Sequence, residues 1–145
     1  MEKLFGPGFR ERQTGIAARC RELGLAFEPA EVLSNSRPAI EASEFAREAG
    51  AFPAFHRAVL AAYFAHGRDI GDVKVLEDVV AEVGLDPVGL RESLQAGSYS
   101  AARKAAEEEA RHLAVTAVPT FIFAGTTRVV GAQQIDYFRQ VLRAW

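Results

Sequence analysis

Cysteine is almost absent from this sequence. Its 145 residues include one cysteine, Cys20, together with one methionine and one tryptophan. A single thiol cannot form an intrachain disulfide, a CxxC redox pair or a multi-cysteine metal cage, so any disulfide must be intermolecular. Cys20 lies between Ile16 and Leu23 at helical spacing. We therefore expect a small buried hydrophobic residue here rather than a reactive thiol.

An excess of one charge and a long apolar run are also missing. The 17 basic and 19 acidic residues nearly balance and are spread along the chain, which argues against nucleic acid as a partner. No apolar run approaches the roughly 18 residues that cross a bilayer, so we expect no membrane span. The first residues leave no room for the apolar core of a secretion signal, which predicts a cytoplasmic protein.

Residues in catalytic or metal-binding arrangements are scarce as well. His56, His66 and His112 are far apart and share no helical ligand spacing, so we predict no metal site. No serine, histidine and aspartate set and no carboxylate pair stands out from the rest of the chain. The residues alone therefore predict no catalytic group and require no cofactor.

What the sequence does contain is typical of one globular domain. Hydrophobic residues make up 49% of the chain and charged residues 25%. Apolar spacing together with cap and stop residues predicts seven helices. They are expected at about 11–23, 38–49, 52–65, 73–83, 87–96, 101–113 and from about 133 to the C-terminus.

Several of these helices show a distinct apolar face. The helix at 52–65 has an apolar face so broad that we expect it to be the buried hub of the helical part. We also expect inward faces on the helix at 101–113 and on the last helix. The hub face carries Phe55, Val59, Leu60, Tyr63 and Phe64; the other two carry Ala102, Ala105, Ala106, Ala110 and Leu113, and Ile135, Phe138, Val141 and Leu142.

The apolar period changes near residue 118. Val118 to Ala124 reads as a strand, a turn follows, and Arg128 to Val130 reads as a second strand. The first strand is apolar at consecutive positions, so it needs cover on both faces and a neighbour on each edge. Either Leu25 to Phe27 joins the sheet or another chain supplies part of it. Pro119 stands at the strand entrance, where proline is tolerated, and its isomer is left open.

Segments spread over nearly the whole chain resemble one family. Residues 114–123, followed by Val130 to Gln133, resemble the cis-proline strand and closing hairpin of DsbA-family thioredoxin-like proteins. The similarity is strongest to the branch of FrnE-like oxidoreductases and 2-hydroxychromene-2-carboxylate isomerases. Residues 62–72, Leu76 and 84–86 resemble the helical insertion of that branch, and 21–27 resemble the helix and turn before it.

The resemblance implies a mainly helical α/β fold that is a partial thioredoxin-like fold. In a single domain, 1–145, it places the DsbA-type helical insertion at about 37–113. The residual thioredoxin-like part, 1–36 and 114–145, ends with the closing strand, strand and helix. In the family, a strand, an active-site helix with CxxC or CxxS, and a second strand precede the point where this sequence begins. Cys20 matches no redox position of the family, and Ala114 and Ala117 stand where glycine is usual.

The family also implies a binding site at Val118 and Pro119. Family members use the backbone of the residue before the cis-proline to bind an extended peptide or glutathione. Neither residue supplies a nucleophile, so we expect a redox-silent module that binds a partner, a thiol peptide or glutathione and completes its sheet as a homodimer or with a partner chain. The alternative is the C-terminal part of an active disulfide oxidoreductase or of a glutathione-dependent isomerase.

Overall fold

The fold is mainly helical, with one small antiparallel sheet. A computed structural model describes residues 9–29 and 32–144. In these residues the chain forms seven helices and two strands. The helices are α1 (Phe9–Glu22), α2 (Arg37–Glu48), α3 (Phe52–Phe64), α4 (Val73–Glu82), α5 (Pro87–Ala96), α6 (Ser100–His112) and α7 (Ile135–Arg143), and the strands are β1 (Thr120–Phe123) and β2 (Thr127–Val130).

Local signals explain where the helices begin and end. Asp72 and Asp86 cap α4 and α5, because each side chain accepts a hydrogen bond from the backbone N–H two residues later. Gly97 ends α5 with a φ of 65°, a left-handed conformation that glycine adopts without a steric penalty. The predicted order and type of the elements therefore agree with the structure, which has the mainly helical character expected of a DsbA-like thioredoxin fold.

The described residues fall into two compact units, one within Met1–Arg103 and one within Lys104–Trp145. The core of the first unit is built by α2, α3, α4 and α5. Alanines of α2 allow close packing against larger side chains, of which Phe55, Leu76 and Leu90 are fully buried. None of the helices in the described residues is long and apolar enough to cross a membrane.

The hub helix is buried on one side only, so its buried face is narrower than the broad apolar face predicted. Phe55, Val59 and Ala62 of α3 are buried, whereas Leu60 and Phe64 are half-exposed. The reason is that α3 packs against two neighbours, α2 and α4. Their contacts cover one face of α3 and leave Leu60 and Phe64 at the surface.

The inward face predicted for α6 is wrong, and the face predicted for α7 is covered only in part, at Phe138 and Val141. No residue of α6 or α7 is buried, and Leu113, Ile135 and Leu142 are exposed. The spacing of a sequence determines which side chains share a face, but burial requires an element to cover that face. The second unit offers a two-stranded sheet, which is too small to cover the apolar residues around it.

The first helix is less buried than expected, and the segment after it does not form a strand. Cys20 is only half-buried, while Ile16 and Leu23 of the same apolar stripe are exposed. Leu25 to Phe27 form no strand, so they do not join the sheet, which has two strands in the described residues. The sequence left two possible sources for the rest of the sheet, this segment or another chain. The segment is therefore excluded.

Candidate functional site

The candidate site begins where α6 ends. Ala114 follows the helix with a φ of 48°, in the left-handed region that alanine rarely adopts. The Val115 N–H donates to the Ala110 C=O at 2.9 Å, and the Ala114 N–H donates to the Arg111 C=O at 2.9 Å. These bonds terminate the helix and turn the chain toward residues 115–119.

Val118, one of the two predicted binding residues, lies fully on the surface. It is 89% exposed, and the Val118–Pro119 peptide bond is cis. Within the part of the chain that the structure describes, neither the N–H nor the C=O of Val118 takes part in a hydrogen bond. A donor and an acceptor of the main chain are thus available to a ligand at one position.

The residues on either side of Val118 are held in place by hydrogen bonds. The Thr120 hydroxyl donates to the Ala117 C=O at 2.6 Å, which closes a short loop around Val118. The Gly131 N–H donates to the Pro119 C=O at 2.8 Å, which extends the ladder beyond Thr120. Pro119 therefore joins the hairpin through its carbonyl group, while Val118 stays outside it.

Two polar side chains hold the same region in place through hydrogen bonds to backbone carbonyl groups. Arg128 of β2 donates to the Leu113 C=O at the end of α6, and the Gln133 amide donates to the Val130 C=O at 2.9 Å. Sequence reasoning did not assign these roles. Gln133 belongs to the segment that resembles the family, so it could have been identified from that motif, whereas no local signal marks Arg128.

One edge of β1 is unpaired in the described residues. The strands pair with Phe121 opposite Val129 and Thr120 opposite Val130. In an antiparallel ladder the hydrogen-bonded pairs alternate, and the Gly131 to Pro119 bond places Phe121 and Val129 among them. The N–H and C=O groups of Thr120 and Ile122 consequently point away from β2.

The face of this hairpin that carries Phe121 is partly covered by α7. The rings of Phe121 and Phe138 meet edge to face with centroids 4.8 Å apart, and Val129 is buried beside them. Phe121 nevertheless remains 40% exposed. Within the described residues α7 covers this face only in part, so the cover on both faces and the second edge neighbour that the sequence calls for are not supplied by these residues alone.

The groups that this site offers are main-chain donors and acceptors. The second unit contains no cysteine in its sequence, and thiol exchange requires an attacking thiolate. No group of three histidine, cysteine, aspartate or glutamate side chains among the described residues is arranged to hold a metal ion. What the site offers is an exposed backbone segment on an open strand edge, which suits recognition of another extended chain.

Comparison with known proteins agrees with this geometry. Residues 13–143 match the DSBA-like thioredoxin domain family. The chain is 31% identical over 133 residues to the uncharacterised protein YwbO of Bacillus subtilis (strain 168), covering 90% of this chain and 66% of YwbO. It is also similar to the crystal structure of a probable DsbA oxidoreductase from Streptomyces coelicolor, with a TM-score of 0.84 and 26% identity over 99% of this chain and 64% of the other.

The match to the family covers nearly all of the chain and includes the loop, the hairpin and the helical unit. The chain spans about two thirds of the length of each of the two similar proteins. On this evidence, the chain belongs to the DSBA-like thioredoxin domain family.

Proposed function

We propose that this chain is the binding portion of a DsbA-family thiol-disulfide oxidoreductase fold and is redox-silent by itself. In this proposal it binds an extended partner along the open edge of β1. The observation that carries it is the exposed Val118, whose N–H and C=O have no hydrogen-bond partner in the described residues. The absence of a thiol from the second unit supports binding without catalysis.

The ligand class follows from the chemistry of a strand edge. An extended peptide pairs its own N–H and C=O groups with those of an edge strand, which gives affinity with little dependence on side chains. Val118, Thr120 and Ile122 would offer such groups at every second residue. A thiol peptide or glutathione is the proposed ligand, and a cytoplasmic location belongs to the same proposal.

A second copy of the chain, or a partner chain, would use the same edge. Strand pairing there would complete the sheet, because a two-stranded hairpin is marginally stable without further cover. Peptide binding and sheet completion at β1 therefore exclude each other. We propose that dimerisation protects this edge until a ligand displaces it.

An NMR titration of the full chain with glutathione and with a blocked extended hexapeptide tests the proposal. We expect shifts of the amide signals of Val118, Thr120 and Ile122. Val118→Pro removes the N–H donor, so it should weaken binding by about fivefold, since one hydrogen bond contributes about 1 kcal/mol. Val118→Ala keeps the backbone and should bind as the natural chain does.

Control experiments distinguish recognition through the Val118 backbone from other modes of ligand binding. Cys20→Ser should leave binding unchanged, and a thiol-exchange assay of the natural chain should show no rate above that of the glutathione buffer. Equal binding by Val118→Pro, with a native circular dichroism spectrum, would contradict recognition by the Val118 backbone. Exchange activity that depends on Cys20 would contradict the redox-silent assignment.

A second candidate function rests on the length comparison. The two similar proteins are longer, and this chain covers 66% of one and 64% of the other. We propose as the alternative that the chain works as the C-terminal part of an active disulfide oxidoreductase, or of a glutathione-dependent isomerase of the 2-hydroxychromene-2-carboxylate type in the FrnE-like branch. The DNA upstream of the start codon tests this idea: an in-frame or neighbouring segment with a CxxC motif supports it, and its absence removes it.

A further inference from the structure

The helical unit contains a pocket that the Val118 site does not use. Its lining residues come from the segment before α2 and from α2, α4 and α5, all within residues 35–95. The pocket has a volume of about 590 Å³, which is in the range of cavities that hold small organic ligands. Because its walls belong to packed helices, the pocket is preformed in this unit.

The two carboxylates that line the pocket are already neutralised. Glu77 is buried, its side chain being 7% exposed, and Arg91 donates to it at 2.5 Å. This hydrogen bond holds the pKa of Glu77 below its usual value, so the carboxylate stays ionised and paired. Glu41 accepts from Arg103 at 2.9 Å, and both of these side chains are largely buried. Neither carboxylate is therefore free to attract a cation.

One cation at the pocket is left without a partner. Arg37 lines the pocket, and its guanidinium makes no ion pair or hydrogen bond with any residue that the structure describes. Lys74, another lining cation, is paired with Asp78 at 2.8 Å. Of the lining residues, Arg37 is therefore the cation that can pair with a ligand. A guanidinium binds a carboxylate through two parallel hydrogen bonds.

The pocket lies at the starts of two helices, of which α4 is already capped by the Asp72 carboxylate and α2 adds to the positive potential. Arg37 is the first residue of α2 and Val73 is the first residue of α4, and both line the pocket. The N-terminal end of a helix carries a partial positive charge, and α2 and α4 are 12 and 10 residues long. The side chain of Ser36 makes no capping hydrogen bond at α2, and the Arg37 N–H donates to the Asn35 Oδ1 at 3.3 Å.

Part of the remaining wall is apolar, and Asn35 and Gln95 complete it. Pro38, Val73 and Leu94 line the pocket beside Arg37. From this combination we propose that the pocket binds a small organic carboxylate with a hydrocarbon body. The carboxylate pairs with the Arg37 guanidinium and the body packs on Pro38, Val73 and Leu94. This inference does not depend on the function proposed for Val118.

Octanoate is the probe that tests the proposal on the full 145-residue chain. We expect a saturable NMR titration in which the amide signals of Arg37, Val73 and Leu94 shift. Octanamide has the same body without the charge and should bind about tenfold more weakly, since a charge-assisted pair exceeds a neutral hydrogen bond. Gln95→Trp places a bulky ring in the pocket without changing charge and should abolish binding.

Arg37→Gln and Arg57→Gln form a matched pair. Both variants remove one exposed positive charge, but Arg57 lies on α3 and does not line the pocket. We expect Arg37→Gln to weaken octanoate binding by about fivefold or more and Arg57→Gln to leave it unchanged, with equal melting temperatures for both.

Three results would overturn the carboxylate site. They are the lack of any saturable shift at millimolar octanoate, equal affinity for octanamide and octanoate, and equal effects of the two arginine variants. A failure of this test would leave the Val118 experiments unaffected, because those follow signals in the second unit. The two proposals can therefore be judged separately.

Discussion

At the scale of single residues, the helical unit pairs the polar groups that it buries. No buried side-chain nitrogen or oxygen in the described residues lacks a hydrogen-bond partner. The Tyr99 hydroxyl donates to the Glu48 carboxylate at 2.6 Å, which joins the chain across 51 positions. This contact ties the segment before α6 to the last residue of α2.

Tyr99 should lose its proton at a higher pH than an ordinary tyrosine. The hydrogen bond to Glu48, followed by burial and by the Glu48 charge, raises the pKa of Tyr99 to about 12. Its proton is bound more tightly in the folded state, so the contribution to stability is complete below the unfolded pKa of about 10 and is lost as the pH rises through about 12. Phenolate absorbance measures this directly.

Two variants check the assignment of that titration. Tyr99→Phe should remove the component with the highest pKa from the absorbance curve, and Glu48→Gln should shift it toward the ordinary value. Circular dichroism at each pH confirms that the chain is still folded. An unchanged curve for Tyr99→Phe would show that another tyrosine carries the raised pKa.

The hub helix provides a comparison of two phenylalanines. Phe55 is fully buried, so Phe55→Ala should lower the free energy of unfolding by about 3–5 kcal/mol through lost burial and a cavity. Phe64 on the same helix is half-exposed, and Phe64→Ala should lower it by about 1 kcal/mol or less. Urea denaturation measures both. A similar loss for the two variants would contradict the one-sided burial of α3.

At the scale of elements, the end of α6 positions the candidate site. The helix ends at a left-handed alanine, the Arg128 side chain binds the last turn, and β1 begins six residues after Ala114 with its outer edge open. The family favours glycine at positions 114 and 117, where this chain has alanine. The structure separates these two positions, because Ala114 adopts a positive φ and Ala117 does not.

Glycine at positions 114 and 117 should therefore have opposite effects on the free energy of unfolding. Ala114→Gly relieves the left-handed strain and should raise the free energy of unfolding by about 1 kcal/mol. Ala117→Gly relieves no strain and increases the freedom of the unfolded chain, so it should lower stability by about 0.5–1 kcal/mol. Thermal unfolding of the two variants measures the difference. Stabilisation by Ala117→Gly alone would contradict the loop conformation described above.

At the scale of the whole molecule, the second unit has more apolar surface than its own elements cover. Its sheet has two strands, its last helix has no buried residue, and Ile135 and Leu142 are exposed. Exposed apolar residues and an open strand edge are both typical of surfaces that bind another chain. This is the physical basis for expecting a partner, a second copy or a further segment over this side.

The chain should be a dimer in solution at micromolar concentration. Light scattering after size-exclusion chromatography should give twice the mass of 15.8 kDa. Ile122→Pro removes an outward-pointing N–H while sparing the ladder to β2, so it should shift the chain toward the monomer. A stable monomer at all concentrations, with native circular dichroism, would contradict sheet completion by a second copy.

The sequence by itself determined the order and type of the elements. Helix starts at Asp72 and Asp86, the stop at Gly97, and the change of period near Val118 depend on residues a few positions apart. Hydrogen bonds within a helix and its caps are short-range, so a local pattern is enough to predict them. The Val118 and Pro119 segment was singled out by its resemblance to a family motif, and its binding role stays a prediction.

The tertiary structure decided which faces are covered and which groups meet. The apolar spacing of α6 and α7 predicted inward faces, yet burial depends on an opposing element that a local pattern does not contain. The pocket beside Arg37 was not predicted, because the pairing of Glu41 with Arg103 joins residues 62 positions apart. Tertiary packing pairs the other charged side chains that line the pocket. The Arg37 guanidinium lines the same pocket and has no partner among the described residues.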